Sequence, residues 1–530
     1  MMRPDHLHSF RNTVEEYFRA NIGDADSIDS EVSIEFETTE ISINRSPHAV
    51  LFKKIKGFKD YRLVTNLLGT ENRILYFTGS DSREAFLRKW TSAMGPDSPY
   101  DPEYISNPNF LKNIFSEDDI DLFSLPAPVH YVNDGSKLSR GRYITSALVV
   151  SRNPDDPSIL NLGFSRIQLL EKNKFAFDAG SRGHTWANIQ RSMKEDNHVD
   201  LTFVIGVHPV LYLLGASFIE NEYRRSGVFL DTFLYRGYRN DISVPADAEI
   251  VIEASMDFSE RAEEGPFAEY TGYMGYDTTG YVAYARSLMV RDHPIYYDIL
   301  PSNSDEHLNI FSFPRSLSIS RNVSEHLPGG SDLKIEWPSY ASRFLAIGYV
   351  KSKAGDLRLQ AACGIISSDP LWAKFVFMFD RESDLSLYGV FAALASSSER
   401  EFTNVLMLPE SFIISSDIAS GGKMSSSRMI GFLDPVEYSV EHGDDLVVIK
   451  SGDKRCTISY EPPGNSDLEI LMPSDIDIHD QKKVGWALST RVNPARDISI
   501  IRNRMTISAL SGHPEVPVLP HNPEDAGKRQ

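Results

Sequence analysis

The sequence predicts a mixed α/β protein of two or three domains with a β-rich centre. The chain has 530 residues, more than one simple core accommodates. Between residues 141 and 300, short β-rich runs are separated by turn residues, which favours a twisted sheet or barrel over a helical bundle. Beyond residue 340, strand-like and helix-like runs alternate, as is typical of an α/β domain.

Individual segments support this division. Leu7, Phe10, Val14 and Phe18 recur at helical spacing and predict an amphipathic opening helix. Residues 20–30 are polar, so we expect a connection there. Residues 82–93 predict a second helix, and the proline-rich stretch 512–530 predicts an extended arm. Further predicted strands are Tyr143–Val150, Leu201–Val207, Glu249–Ala254, Val282–Val290, Phe344–Val350 and Ala373–Phe379, and further predicted helices are Leu385–Ser396 and 479–490.

Composition narrows the possible functions. The net charge of −20 disfavours binding to nucleic acid or anionic membranes. The sequence contains neither a long apolar run nor an N-terminal apolar signal core, so we expect a cytoplasmic protein. Cys363 and Cys456 are far apart and predict buried free thiols rather than a metal site. An anionic substrate would need a local positive charge, which makes an arginine among carboxylates of interest.

The segment from Arg261 to Tyr276 contains such carboxylates. Glu263, Glu264 and Glu269 lie close together among glycine, proline and tyrosine residues. In a regular strand, Glu264 and Glu269 would face opposite sides, but the intervening Gly-Pro breaks that regularity and allows both to face one cavity. Aromatic neighbours would desolvate a carboxylate there, as a general acid requires. A solvated acidic turn is the alternative interpretation.

Two further motifs indicate ligand binding. The run Asn161-Leu-Gly-Phe-Ser-Arg166 precedes His184, and an amide, an imidazole and a carboxylate together suit a divalent ion such as Mn²⁺ or Mg²⁺. A structural histidine is the alternative. Gly421-Gly422-Lys423 is followed by serines and could hold a phosphate, although it lacks P-loop spacing. A flexible exposed loop is the alternative there.

In this combination and order, the motifs make the chain resemble the UbiD family of decarboxylases, whose members use prenylated FMN. The resemblance extends over roughly residues 45 to 500. It is most specific in the Glu-Gly-Pro-Phe-x-Glu-Tyr-x-Gly-Tyr motif, which begins at Glu264 and follows Val244-Pro-Ala-Asp-Ala-Glu. Supporting stretches are Val50–Gly57, Asn66–Thr70, Asp121–Pro126, Gly141–Thr145 and Trp486–Arg491.

The resemblance implies a domain arrangement. We expect an N-terminal α/β cap (residues 1–130), a central split β-barrel that binds the flavin (131–325), a C-terminal α/β oligomerisation domain (340–500) and a C-terminal arm (501–530). It also implies at least a homodimer. The active site would lie between the flavin and C-terminal domains, where a hinge motion could gate it.

The resemblance also implies a set of cofactor ligands. Mn²⁺ or Mg²⁺ would be held by Asn161, His184 and Glu222, with Glu220 as a weaker candidate for the third ligand. K⁺ would bind nearby through backbone oxygens, to which Ala216 and Ser217 could contribute. Lys423 matches the lysine that reaches the cofactor phosphate, although the residues after it depart from the family pattern. The full set of implied cofactor contacts is Asn161, Phe164, Ser165, Arg166, Gly183, His184, Glu222 and Lys423.

The implied catalytic residues are Arg166, Glu264 and Glu269. Arg166 would receive the substrate carboxylate and pair with Glu264, and Glu269 would donate the proton that replaces CO₂. The reaction would be a reversible, non-oxidative decarboxylation of an aromatic, heteroaromatic or α,β-unsaturated acid, with prenylated FMN as covalent electrophile. A flavin prenyltransferase would supply the cofactor. Two alternatives remain open: a non-catalytic scaffold of the same fold, and a plain FMN split-barrel oxidoreductase.

Overall fold

The computed structural model describes residues 9–20, 23–95, 100–135, 141–179, 183–194, 198–217, 219–275, 278–369, 372–413 and 424–510. The chain divides into two compact units, and the boundary between Pro314 and Arg315 lies within one long helix. In the described residues, no helix is both long enough and apolar enough to span a bilayer.

The first unit combines helices with several sheets. Its helices are α1 (Phe10–Ala20), α2 (Glu37–Arg45), α3 (Glu71–Phe77), α4 (Arg83–Met94), α5 (His184–Ser192), α6 (Pro209–Gly215), α7 (Glu222–Ser226) and α8 (Asp305–Glu325), which continues past the boundary. Its strands are β1 (Ala25–Val32), β2 (Ala49–Ile55), β3 (Arg62–Thr65), β4 (Glu103–Tyr104), β5 (Asn113–Ser116), β6 (Tyr143–Ile144), β7 (Leu148–Arg152), β8 (Leu160–Phe164), β9 (Ile167–Leu169), β10 (Lys174–Phe177), β11 (His198–Ile205), β12 (Phe233–Tyr235), β13 (Val244–Pro245), β14 (Ile250–Glu264), β15 (Phe267–Ala268), β16 (Met274–Gly275), β17 (Thr278–Val290) and β18 (Ile295–Tyr297).

A nine-stranded sheet is the centre of the first unit. Eight strands follow the order β6-β9-β10-β17-β14-β11-β7-β8, and β5 pairs with β17. The same unit contains a four-stranded sheet (β1-β2-β3-β18), a three-stranded sheet (β13-β12-β4) and the β15-β16 pair. Alternate side chains of the large sheet point into one apolar core, as Phe175, Phe177 and Phe203 show with adjacent rings 5.0–6.3 Å apart.

The short connection between β8 and β9 curls this sheet into a split barrel. The two strands lie at or next to opposite edges of the sheet, yet only Ser165 and Arg166 join them. Because consecutive Cα atoms are about 3.8 Å apart, these residues span only about 11 Å, so the edges must curve toward each other. Arg166 therefore lies where the barrel nearly closes.

The second unit contains two further sheets and a core of its own. Its strands are β19 (Asp332–Glu336), β20 (Leu345–Lys351), β21 (Phe375–Phe379), β22 (Val405–Ile413), β23 (Met424–Leu433), β24 (Ser439–His442), β25 (Leu446–Ser451), β26 (Lys454–Ser459), β27 (Leu468–Leu471), β28 (Ile498–Ile501) and β29 (Arg504–Ser508). They form the sheets β19-β20-β21-β23-β22 and β24-β25-β26-β27-β29-β28. Its helices are α9 (Arg358–Ser368), α10 (Leu387–Ser396), α11 (Gln481–Arg491) and α12 (Pro494–Asp497). The apolar helix α10 is buried almost along its whole length.

The mixed α/β class with a split barrel is confirmed, whereas two local expectations are wrong. Residues 25–32 form β1 instead of a polar connection, because their backbone pairs in parallel with β2 while most of the polar side chains remain partly or fully exposed. Cys363 is exposed rather than buried, although Cys456 is buried and both thiols are free. The proline-rich stretch 512–530 lies outside the described residues, whereas residues 501–510 of the predicted arm contain β29, which pairs with β27 and β28.

Candidate active site

The predicted triplet of Arg166, Glu264 and Glu269 comes together in the first unit. Arg166 Nε and Nη2 donate to the two carboxylate oxygens of Glu264, both at 2.7 Å. Its third nitrogen, Nη1, donates to Glu269 Oε1. Glu264 therefore binds the guanidinium in the two-point geometry that fixes its plane, whereas Glu269 binds it through a single oxygen.

The local chain path explains how two glutamates five residues apart face one arginine. β14 ends at Glu264, and Gly265 has a φ of 107°, a conformation that other residues rarely adopt. The chain then forms β15 and reaches Glu269, whose backbone N–H donates to the Tyr273 carbonyl at 2.7 Å. The Glu264 side chain is fully buried, whereas that of Glu269 is 29% exposed. Of the two glutamates, only Glu269 is thus placed to reach a bound molecule.

A cavity of ≈ 220 Å³ opens beside these groups. Its walls are mainly aromatic and aliphatic, and the Phe267 ring lies 5.1 Å from the Arg166 guanidinium carbon. Such a pocket, with few polar groups on one side, suits a small planar acid or a cofactor ring. The lining residues are Thr145, Phe164, Ser165, Arg166, Asp178, Phe267, Ala268, Glu269, Ile299, Pro301, His307, Ile310 and Phe311.

The charges in this cavity are strongly coupled. Burial opposes the charge of Arg166, but Glu264 and Glu269 outweigh it and raise the arginine pKa well above its ordinary value. Desolvation raises the pKa of Asp178 against the opposing effect of Arg166. Burial lowers the pKa of His307 to about 4, so its ring is neutral at pH 7, and His307 Nδ1 lies 2.8 Å from the Ser302 carbonyl.

Asn161 lies next to the first turn of α5, which begins at His184, because β8 and α5 pack against each other. A Cβ at Gly163 would lie 2.5 Å from Thr185 Oγ1, so a larger residue there would force the Thr185 side chain to shift. Asn161 is buried and donates through Nδ2 to the same Thr185 hydroxyl at 3.0 Å. His184 begins α5, and its Nδ1 lies 2.8 Å from the Ile219 carbonyl, which favours a proton on Nδ1 and a lone pair on Nε2.

Glu222, the third predicted metal ligand, begins α7, which also packs against β8. Its side chain is buried, and neither oxygen has a hydrogen-bond partner within the described ranges. Burial raises its pKa well above the ordinary value, an effect that the nearby backbone N–H groups of Glu222 and Leu162 oppose. Because an unpaired buried charge is costly, a carboxyl of this kind either takes up a proton or binds something positive. Glu220 is instead exposed.

For the remaining predicted ligands, the structure gives the position in the fold of some and does not describe Lys423. Gly183 precedes His184 as the N-cap residue of α5. Ala216 and Ser217 follow α6, and the Ser217 carbonyl accepts from Ile219 N–H at 2.9 Å, next to the His184 contact. Lys423 lies outside the described residues, so its proposed phosphate contact stays a prediction. Among the described residues no cluster of three His, Cys, Asp or Glu forms a metal site; the Asn161 trio contains an amide.

The sequence does not predict three polar residues of the cavity as site residues. Thr145 ends a stretch that supports the family resemblance and Asp178 carries no local signal; both reach the cavity through the packing of separate strands. His307 lies on α8, and a single histidine without partners in sequence does not indicate a site.

Family models match most of the first unit and part of the second. Models of the 3-octaprenyl-4-hydroxybenzoate carboxy-lyase (UbiD) match as N-terminal domain over residues 19–94, Rift-related domain over 104–304 and C-terminal domain over 467–515. Together these ranges cover more than half of the chain.

Individual relatives are distant but extensive. A phenolic acid decarboxylase from Escherichia coli O157:H7 is 24% identical over 407 residues, 72% of this chain and 82% of that protein. An anhydromevalonate phosphate decarboxylase from Methanosarcina mazei is 28% identical over 304 residues, 56% of this chain and 67% of that protein.

Solved structures agree with the fold. The UbiD-class enzyme HmfF from Pelotomaculum thermopropionicum, in complex with FMN, aligns with a TM-score of 0.72 at 23% identity, over 81% of this chain and 94% of that one. A 3,4-dihydroxybenzoic acid decarboxylase from Klebsiella pneumoniae aligns with a TM-score of 0.71 at 17% identity, over 83% and 98%.

Proposed function

The chain belongs to the UbiD family of carboxy-lyases, and from this premise we propose that it decarboxylates an aromatic, heteroaromatic or α,β-unsaturated carboxylic acid with prenylated FMN as cofactor. The observation that carries the proposal is the arrangement of Arg166 between a buried Glu264 and a partly exposed Glu269 at the wall of an aromatic cavity. The relatives named above as decarboxylases support the reaction class.

The buried Glu264 and the partly exposed Glu269 have different proposed roles. Glu264 holds the guanidinium plane of Arg166 through two hydrogen bonds of 2.7 Å and does not need to move. An incoming carboxylate can take Arg166 Nη1, which in the structure binds Glu269. Glu269, whose side chain is 29% exposed, is then free of that contact and can take a proton from solvent. Glu269 is thereby placed to deliver that proton to the carbon that loses CO₂.

The chain also fits the implied cofactors. When bound, prenylated FMN would supply an electrophilic ring that accepts the electron pair left by departing CO₂. Asn161, His184 and Glu222 would hold Mn²⁺ or Mg²⁺ to neutralise the cofactor phosphate, and the buried Glu222 carboxylate supports this assignment. Phe164, Ser165 and Gly183 would line the flavin site, and Lys423 would reach the phosphate. K⁺ near Ala216 and a homodimer built by the C-terminal domain remain predictions.

The decisive experiment is expression with a flavin prenyltransferase, followed by mass and absorbance spectra and a CO₂-release screen with aryl and acrylic acids. We expect prenylated FMN and turnover of at least one acid. Unmodified FMN with redox activity would favour an oxidoreductase, and a protein without flavin would favour a scaffold. Either result would overturn the proposal.

A further inference from the structure

The short linker between the two catalytic glutamates, residues 265–268, is held from two sides by backbone hydrogen bonds. From one side, Gly135 N–H donates to the Pro266 carbonyl at 2.8 Å. From the other, Ser302 N–H donates to the Ala268 carbonyl at 3.3 Å. Two loops, which we call the first loop (residues 130–135) and the second loop (residues 298–302), therefore fix where the chain delivers Glu269.

A buried ion pair joins these two loops. His130 Nε2 lies 3.1 Å from each carboxylate oxygen of Asp298, and the side chains are 0% and 1% exposed. The Tyr131 hydroxyl adds a bond of 3.4 Å to the Pro301 carbonyl. Thr145, in the cavity wall, donates to Asp298 at 2.9 Å and accepts from Ile299 N–H at 3.2 Å. The pair thus connects the cavity wall with both loops.

We propose that His130 and Asp298, with Asp134, whose Oδ2 accepts from Tyr131 N–H at 3.0 Å within the first loop, are positioning residues that clamp the linker and so hold Glu269 against Arg166. The proposal rests on the proposed function for the role of Glu269, but the clamp itself is a property of the chain. None of the three touches the reacting atoms; they act through the linker backbone. A clamp of this kind matters because a displacement of about 1 Å at a catalytic group costs about a hundredfold in rate.

The charges around the clamp favour the ion pair at neutral pH. Burial alone would lower the pKa of His130, but the Asp298 and Asp134 carboxylates raise it above its ordinary value. Burial raises the pKa of Asp134 to about 7, against His130, the N–H groups of Tyr131 and Ala268, and Arg166. The other titratable groups facing these carboxylates are Tyr131, Tyr143 and Tyr296, whose pKa values are also raised by burial. His130 therefore loses its charge only on the alkaline side of its ordinary range.

Hydrogen–deuterium exchange of peptides covering residues 264–269, in flavin-loaded protein, tests the clamp without reference to any substrate. In His130→Gln and in Asp298→Asn, we expect these amides to exchange at least about fivefold faster than in wild type. The double variant should stay within about twofold of the faster single variant, because the two side chains act as one pair. Asp134→Asn, which keeps the side-chain shape, should give an intermediate increase and serves if either other variant does not fold.

Asp24→Asn is the matched control. It removes one partner of another ion pair of the first unit, in which Asp24 lies 2.6 Å from the buried Arg73. Its linker peptides should exchange as in wild type. Linker exchange unchanged in His130→Gln and Asp298→Asn, or raised equally by the control, would overturn the proposal.

Turnover supplies the second readout. With an acid that wild type decarboxylates, His130→Gln should lower kcat about tenfold while KM changes less than about twofold. Wild-type kcat should also fall as pH rises through the raised pKa of His130, and the variant should lack this alkaline decline. A kcat equal to that of wild type would contradict the positioning role. If wild type decarboxylates no acid, the proposed function fails, while the exchange result still decides the clamp.

Discussion

Two clusters, one around Arg166 after β8 and one around Asn161 on β8, each contain a buried carboxylate. In the described part of the chain, only the carboxylate of the first cluster is bound by a charged side chain. Glu264 is buried and bound at two points by Arg166. Glu222 is equally buried, but among the described residues no side chain donates to its oxygens and backbone N–H groups lie near them. The first cluster therefore contains its own counter-charge, whereas the proposed function assigns a divalent cation to the second. The effects of removing charge should accordingly have opposite signs.

Arg166→Met should have the largest effect. Glu264 would lose both bonds to its guanidinium partner while remaining buried, which costs about 3–5 kcal/mol in the free energy of unfolding. Decarboxylation should also be lost, because the substrate carboxylate has no partner. Calorimetric melting of the first unit and a CO₂-release assay check both outcomes. A variant that melts with wild type would show that Glu264 does not depend on Arg166.

Glu222→Gln should stabilise the metal-free protein, whereas Arg166→Met destabilises it. Because burial raises the pKa of Glu222, folding near pH 7 must bind a proton on this carboxyl, and replacing it with an amide should raise the free energy of unfolding by about 1–3 kcal/mol. The same variant should purify without Mn²⁺ and without flavin. Glu220→Gln, at an exposed carboxylate two residues away, is the control and should change neither stability nor metal content. If Glu220→Gln loses metal and Glu222→Gln retains it, the assignment of the third ligand is wrong.

Added Mn²⁺ should stabilise the protein through the Asn161 cluster and not through the Arg166 cluster. Mn²⁺ at about a hundred times its dissociation constant should stabilise the metal-free wild type by about 3 kcal/mol. His184→Ala and Glu222→Gln should show no such gain, whereas Glu264→Gln should show all of it. Thermal melting with and without Mn²⁺ measures the difference. Equal stabilisation of all the variants would mean that the ion binds elsewhere.

Asp134 is a third buried carboxyl, and its titration should have the smallest effect on the free energy of unfolding. Its pKa is raised from 3.8 to about 7, so the folded chain binds a proton that the unfolded chain releases between these values. Stability from this group is therefore full below about pH 4 and is lost as pH rises toward 7. Between pH 5 and pH 6, wild type should lose about 1.4 kcal/mol relative to Asp134→Asn. Parallel pH profiles of melting would contradict this sign.

Much of the fold followed from local pattern, because apolar runs between turn residues indicate strands whatever their partners. Leu201–Val207 and Val282–Val290 lie largely within β11 and β17. β1 was missed because only Val32 of its eight residues is buried, so its pairing with β2 leaves no apolar pattern in the sequence. The length of β14 was underestimated because its second half alternates exposed and partly buried side chains beyond a bulge.

The candidate site was likewise predictable only where local sequence determines it. The break at Gly265-Pro266 predicted that Glu264 and Glu269 could face one cavity, and the structure brings both to Arg166. Their different burial could not be predicted, since it depends on β10, β15 and α8 packing around the cavity. The His130–Asp298 pair joins residues 168 positions apart and has no counterpart in local sequence. Pairings of this kind follow only from the folded split barrel.

Proton delivery by Glu269 is the central claim, and deuterium incorporation tests it most directly. Flavin-loaded wild type, Glu269→Gln and the exposed-site control Glu263→Gln would each be given the same carboxylic acid in D₂O. We expect wild type and Glu263→Gln to place one deuterium on the carbon that carried the carboxylate. Glu269→Gln should bind equal flavin and form this product at least about a hundredfold more slowly. Deuterated product formed by Glu269→Gln at the wild-type rate would contradict the account.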